Sequence, residues 1–124
     1  MAYKYTIDCE NRIVLIEISG IDTKEDIFER ITKITGEPDW SPGFGVFMDM
    51  RRVEKLEVNF DDSFEITRFH KLISQIILNC KIALICQHAH VFGIGRMWQS
   101  LSETLEIEFE IFEDTDLAKE WILS

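Results

Sequence analysis

Cys86, His88 and His90 alternate in the run Cys-Gln-His-Ala-His. A thiol beside imidazoles is the combination that binds zinc or pairs a nucleophile with its base. If the run is extended, the three side chains share a face. A structural zinc site still needs a fourth donor, and a thiolate nucleophile still needs an orienting group and an oxyanion loop. Neither is legible, and His70 falls on a separate helical pattern. The sequence therefore assigns no catalytic residue, no metal ligand and no cofactor.

A second group of polar residues follows two short apolar runs. Asp49, Arg51 and Arg52 come after Val46-Phe47-Met48; Gln87, His88 and His90 come after Ile82-Ala83-Leu84-Ile85, with Arg96 further on. Open α/β sheets bind ligands beyond the carboxyl ends of their strands. Guanidinium groups and helix N-terminal amides there attract anions. The candidate anion or ligand rim is thus Asp49, Arg51, His88, His90 and Arg96, beside Gly93-Ile94-Gly95. The competing role for the same residues is a polar rim around a structural loop. There is no full G-x-G-x-x-G motif and no Walker lysine.

The elements that must position these groups follow from periodicity. Tyr3 to Cys9 and Arg12 to Ser19 read as a hairpin turning at Glu10-Asn11, where Asn tolerates a left-handed backbone. The second strand is apolar on both faces, which predicts a central place covered by helices on each side. Asp22 and Glu25 form a capping box before a helix whose buried stripe is Ile27, Phe28, Ile31 and Ile34, with Gly36 as its stop. Pro38 and Pro42 bracket a loop holding Trp40. A third strand covers Phe44 to Asp49, and residues 50–61 alternate so weakly that they read as a loop. Asp62 and Glu65 form a second capping box before a long helix, Ser63 to Asn79, with Phe69, Leu72, Ile73 and Ile76 inward.

Lys81 to Cys86 reads as an interior strand, and His90 to about Thr104 as a helix burying Val91, Ile94, Met97, Trp98 and Leu101. Glu106 to Phe112 alternates strictly, with Ile107, Phe109 and Ile111 inward and Glu106, Glu108 and Glu110 outward. This is the mark of an edge strand guarded by charge. Asp114 or Thr115 caps a last helix, Asp116 to Leu123, which buries Leu117, Ala118, Trp121 and Ile122. The order β-β-α-β-α-β-α-β-α predicts a single α/β domain over residues 1–124. Its core is a mixed, mostly parallel five-stranded sheet with four helices on its faces.

The whole-chain numbers narrow the partners. The 124 residues are 46% hydrophobic with a formal net charge of −10, enough for one core and too acidic for non-specific nucleic-acid binding or docking on anionic lipid. No apolar run reaches the length of a transmembrane span. Met1-Ala2-Tyr3-Lys4-Tyr5 leads into a strand pattern without a secretory apolar core. Three cysteines, Cys9, Cys80 and Cys86, without C-x-x-C spacing suit reduced thiols in the cytoplasm. Acid accumulates late, from Glu103 to Glu120, against a lone Lys119. That stretch is a solvated face or, with Glu106, Glu108, Glu110 and Trp40, a contact surface for another protein. A homodimer stays open.

Val46-Phe47-Met48-Asp49, Lys81-Ile82-Ala83-Leu84-Ile85 and Ala118-Lys119-Glu120-Trp121-Ile122, set in this element order, resemble the STAS domain and more closely the SpoIIAA-like family. The resemblance spans nearly the whole chain and implies the fold. In anti-sigma-factor antagonists of the STAS family a phosphorylatable serine opens the helix after the third strand. Ser63, in Asp61-Asp62-Ser63-Phe64-Glu65, holds that station and is the implied phosphoacceptor, although Phe64 and Glu65 replace the usual small residues. SpoIIAA-like proteins also resemble the lipid-binding SEC14 group in fold, which implies a small apolar ligand. Two functions follow as expectations. One is a non-catalytic regulatory or protein-interaction domain. The other is a carrier or sensor of a small apolar or amphiphilic ligand between helices and sheet, which an apolar cavity larger than a few side chains would favour over a filled core.

Overall fold

The computed structural model describes residues 2–124. Its order is β1 (Ala2–Asp8), β2 (Ile13–Thr23), α1 (Lys24–Thr35), β3 (Gly45–Glu57), α2 (Phe60–Leu72), β4 (Lys81–Ile85), α3 (Ala89–Leu101), β5 (Glu108–Phe112) and α4 (Thr115–Leu123). A 3-10 turn, Ser102–Thr104, follows α3. The five strands lie side by side in chain order. β1 is antiparallel to β2, and every other pairing is parallel. The predicted mixed, mostly parallel α/β architecture is the one formed, with β5 at an edge as its alternation required.

Sequential strand order has a consequence for the layers. Right-handed crossovers that all step in one direction lay α1, α2 and α3 on the same face. The main core lies there, between Val14, Ile16 and Ile18 of β2, Met50, Val53 and Leu56 of β3, and Ile27, Ile34, Ile66, Val91, Ile94 and Trp98 of the helices. The opposite face carries α4 alone, packed by Ala118 and Ile122 on Phe47, Ala83 and Ile85. Gly45 permits this approach, since a Cβ there would meet Ile122 Cγ2 at 2.6 Å. The expectation of helices on both sides of β2 is therefore corrected: Leu15 and Glu17 point to solvent beyond the reach of α4.

Several boundaries move, each for a local reason. Residues 50–57 are strand, not loop: β2 and β3 continue as a two-stranded extension pairing Ser19–Thr23 with Arg52–Glu57. Two register shifts interrupt it, one beside Gly20 at φ 77°, and a bulge erases the period-two pattern that marks a strand. The hairpin turn places Arg12, not Asn11, at positive φ, while Asn11 hydrogen-bonds the Asp8 carboxylate. The cap of α1 is Thr23, in a capping box with Asp26. That of α2 is Asn59, boxed with Asp62.

α2 begins earlier than predicted and stops at Leu72, so the stripe is different. Ser63 and Ile66 are buried, whereas Leu72 is 81% exposed and Ile76 is exposed. Residues 73–79 form turns that end at Asn79, φ 60°. In α4, Asp114 is the cap and Leu117 is exposed. No helix among the described residues is long and apolar enough to cross a membrane.

Candidate functional site

The middle of β3 and the carboxyl end of β4 bring Asp49, Arg51, His88 and His90 into one region, where each side chain is held by a neighbour within the protein. Arg51 makes a two-pronged ion pair with Asp49, Nε to Oδ1 at 2.9 Å and Nη2 to Oδ2 at 2.7 Å. Burial opposes ionisation of Asp49, and the bonds from Arg51 outweigh it, holding the carboxyl below its ordinary range. His88 Nε2 donates to the Arg51 carbonyl at 3.3 Å and His90 Nε2 to that of Leu56 at 3.0 Å. The two histidines thus staple the start of α3 to β3. Arg96 lies a helix turn away and reaches Gln99.

Gly93 and Gly95 do not form an anion cradle either. Gly93 faces open space, and Gly95 lets α3 lie against the sheet, since a Cβ there would meet Leu84 Cδ2 at 2.7 Å. Cys86 is buried, and burial followed by the charge of Glu113 raises its pKa. A thiol in that setting is a poor nucleophile. The described residues contain no group of three metal-binding side chains.

Ser63 is 0% exposed. Its hydroxyl donates to the Asn59 carbonyl at 3.2 Å and accepts from Trp98 Nε1 at 3.1 Å. Both of its hydrogen-bonding directions are committed inside the protein, and a phosphoryl group has no room there. The implied phosphoacceptor is therefore a structural bridge between α2 and α3 in this conformation. Trp40 and the β5 glutamates, grouped above as one contact surface, also separate. Glu108 and Glu110 are exposed, and Glu106 lies just before the strand, with its backbone carbonyl taken by Asn79 N–H. Trp40 turns inward on Phe44, and its Nε1 donates to the Ile76 carbonyl at 3.0 Å.

Trp40 instead forms part of the wall of an apolar cavity of about 110 Å³, partly open to solvent, between the three helices and the sheet. Ile16, Val46, Met48 and Ile82 form its floor, Ile27, Ile34, Ile66 and Trp98 its roof, and Trp40, Ile77, Ile107 and Phe109 its sides. Val46, Met48 and Ile82 stand on the two strands next to and at the middle of the sheet, under helices, yet each is only half-buried. In a filled core such positions would be fully covered. The short α2 contributes to the opening: where a longer helix would have continued, the 73–79 turns receive the Trp40 indole.

Three ionisable residues reach the cavity: Arg30, His70 and Cys80, whose thiol pKa is pushed up by burial. Arg30, 3% exposed, is held by Asp22, 0% exposed, through bonds of 3.0 and 3.1 Å. Its guanidinium also lies over the Tyr3 ring at 5.8 Å. His70 is pushed down to about 4 by burial, partly opposed by a hydrogen bond to the Ile66 carbonyl, so the imidazole is neutral at pH 7. The sequence reading missed both Arg30 and His70 as cavity residues. Arg30 falls on a helix that reads as simply amphipathic, and its partner Asp22 belongs to β2, so no i, i+4 spacing marks the pair.

Among solved structures, this chain resembles an uncharacterised protein of the DUF3478 family with a SpoIIAA-like fold from Shewanella loihica. The TM-score is 0.62 at 17% identity, over 98% of this chain and 92% of the other. The fold is SpoIIAA-like. No protein-family model and no curated protein sequence matches the chain. The structural likeness covers the full β-β-α-β-α-β-α-β-α course described above, and at this identity it speaks for the SpoIIAA-like backbone and not for any side chain.

Proposed function

We propose that this SpoIIAA-like chain is a non-catalytic cytoplasmic domain that takes up a small apolar molecule between its helices and its sheet. The observation that carries this reading is the cavity of about 110 Å³ under α1, α2 and α3, with central-strand residues left half-covered. A cavity of about 150 Å³ lined by aliphatic and aromatic side chains stays dry and accepts benzene or xenon. The present one is of that order and partly open to solvent, with room inside for a single ring.

The direct test is titration of the ¹⁵N-labelled protein with benzene. Saturable shifts confined to amides around Val46, Met48, Ile82 and Trp98, with a rise in Tm that grows with benzene concentration, are expected. Unchanged spectra and Tm up to the solubility limit would remove the proposal.

A protein-interaction role is the second reading, and one observation favours it. Phe60 and Phe64 pack edge to face at 4.8 Å on the first turns of α2, 60% and 42% exposed, and large solvent-facing aromatics are typical anchors of interfaces. If they join two copies, sedimentation velocity shows a concentration-dependent dimer that Phe60→Ser with Phe64→Ser abolishes.

A further inference from the structure

We propose that the free edge of β5 binds an extended, lysine- or arginine-rich peptide as a sixth strand of the sheet. β5 comes last in the strand order, paired with β4 on one side and with no strand on the other. The edge is made of backbone, so it stands whether or not the cavity takes a ligand.

In a parallel ladder each residue turns its N–H and C=O to the same side, and successive residues alternate sides. Glu108 N–H donates to the Cys80 carbonyl at 3.0 Å, and the Phe112 carbonyl accepts from Cys86 N–H at 3.0 Å. Residues 108, 110 and 112 therefore face β4, while Phe109 and Ile111 turn their backbone groups outward. The Phe109 carbonyl accepts from Gln99 Nε2 at 2.9 Å, and the same nitrogen reaches Glu110 Oε2 at 3.3 Å. Gln99 thus covers part of the edge with a side-chain amide, the kind of group a neighbouring backbone would supply. The Phe109 N–H and both backbone groups of Ile111 have no such partner among the described residues.

Charge selects what can pair there. Glu106, Glu108 and Glu110 are exposed along this segment, with Glu103 before it and Glu113 after it. None of these glutamates is in an ion pair among the described residues. A polar groove of about 400 Å³ runs beside the edge, between α3 and β5, with Arg96, Glu103 and Glu110 on its wall. A second copy of the same edge would set glutamates against glutamates, which cross-strand pairing disfavours. A strand with Lys or Arg at alternate positions instead places its charges beside Glu108 and Glu110. The opposite edge of the sheet offers no such selection, since Lys4 of β1 already pairs with Glu17 at 3.2 Å. In strand addition of this kind, backbone hydrogen bonds give affinity and alternate side chains give selectivity.

The probe is acetyl-Lys-Val-Lys-Val-Lys-Val-Lys-amide, whose pattern reads the same in both directions, titrated into the ¹⁵N-labelled protein at low salt. In the free protein the Phe109 and Ile111 amides should exchange with solvent freely. At a peptide concentration of about ten times the Kd they should slow about tenfold. Peptide backbone protons should give nuclear Overhauser contacts to these two N–H groups and none to that of Glu110. Glu108→Gln with Glu110→Gln should weaken binding about three- to tenfold, and added salt should weaken it as well. Gln99→Ala, which uncovers the Phe109 carbonyl, should bind at least as tightly as the unaltered chain. The same peptide methylated at every backbone nitrogen keeps its charge, loses its donors and should not bind.

No binding at millimolar peptide overturns the proposal. So does binding that the methylated peptide matches, or that leaves Phe109 and Ile111 exchanging freely, since either reduces the contact to diffuse attraction between opposite charges. Equal affinity for a peptide with Glu in place of every Lys overturns the selection by charge.

Discussion

Ser63 shows how one residue can be legible in position and opaque in role. Its place at the start of the helix after β3 was readable, but the partner that occupies it, Trp98, is 35 residues away and left no local trace. The indole N–H and the serine hydroxyl are both buried. Ser63→Ala should therefore lower stability by about 1–3 kcal/mol, because Trp98 keeps a buried donor without an acceptor. Ser63→Asp should cost more, since it adds a charge to the same enclosed site. Urea denaturation of both variants checks this. A switch residue would instead give a neutral alanine and an aspartate that changes only binding. His70 makes a pH-dependent prediction at the same scale. Its folded-state pKa of about 4 is below the ordinary value of 6.5, so the unfolded chain binds the proton more readily. Its contribution is fully present above pH 6.5 and is lost as pH falls toward 4, by up to about 3 kcal/mol at 1.36 kcal/mol per unit. Urea midpoints measured between pH 7 and 4.5 should fall more steeply for the unaltered protein than for His70→Gln. Equal slopes would show that other groups account for the acid sensitivity.

At the scale of elements, regular periodicity was readable and its interruptions were not. β1, β4, β5 and α4 follow their hydrophobic patterns to within a residue or two. β3 was cut to half its length because the bulges near Gly20 and Met50 break the alternation while pairing continues. α2 was run too far because Leu72, Ile73 and Ile76 keep a helical spacing beyond the point where the backbone turns. The caps were displaced, by one residue for α1 and three for α2, and for α1 the displacement has an energetic meaning. Asp22, read as a cap, is the counter-ion of Arg30 and ties the last turns of β2 to the middle of α1. Removing one member of a buried pair leaves the other charge uncompensated, so Asp22→Ala should destabilise by about 3–5 kcal/mol. Asp22→Leu combined with Arg30→Met removes both charges and should recover most of that loss. Thermal unfolding of the single and double variants decides it, and additive losses would mean the two residues do not act as a pair.

Across the whole molecule, one asymmetry sets both what could be foreseen and what could not. Strands in chain order force three helices onto one face, and the order was legible. How well those helices fill the space above β3 and β4 depends on side chains brought together from seven strands and helices, and no window of sequence contains that sum. The half-covered Val46 at the centre of the sheet puts this to a direct test. Val46→Ile adds one methylene pointing at the cavity. Where space is empty, the added group gains burial at no cost in strain, and stability should rise by about 0.5–1 kcal/mol. Where the core is already full, the same group forces its neighbours off their rotamers and stability should drop by about 1–3 kcal/mol. The sign of the change in Tm therefore reports whether the cavity persists in solution. A rise accompanied by weaker benzene binding would show that the added methylene occupies the space the ligand needs, whereas a fall would mean that the helices close down on β3 and leave no room for one.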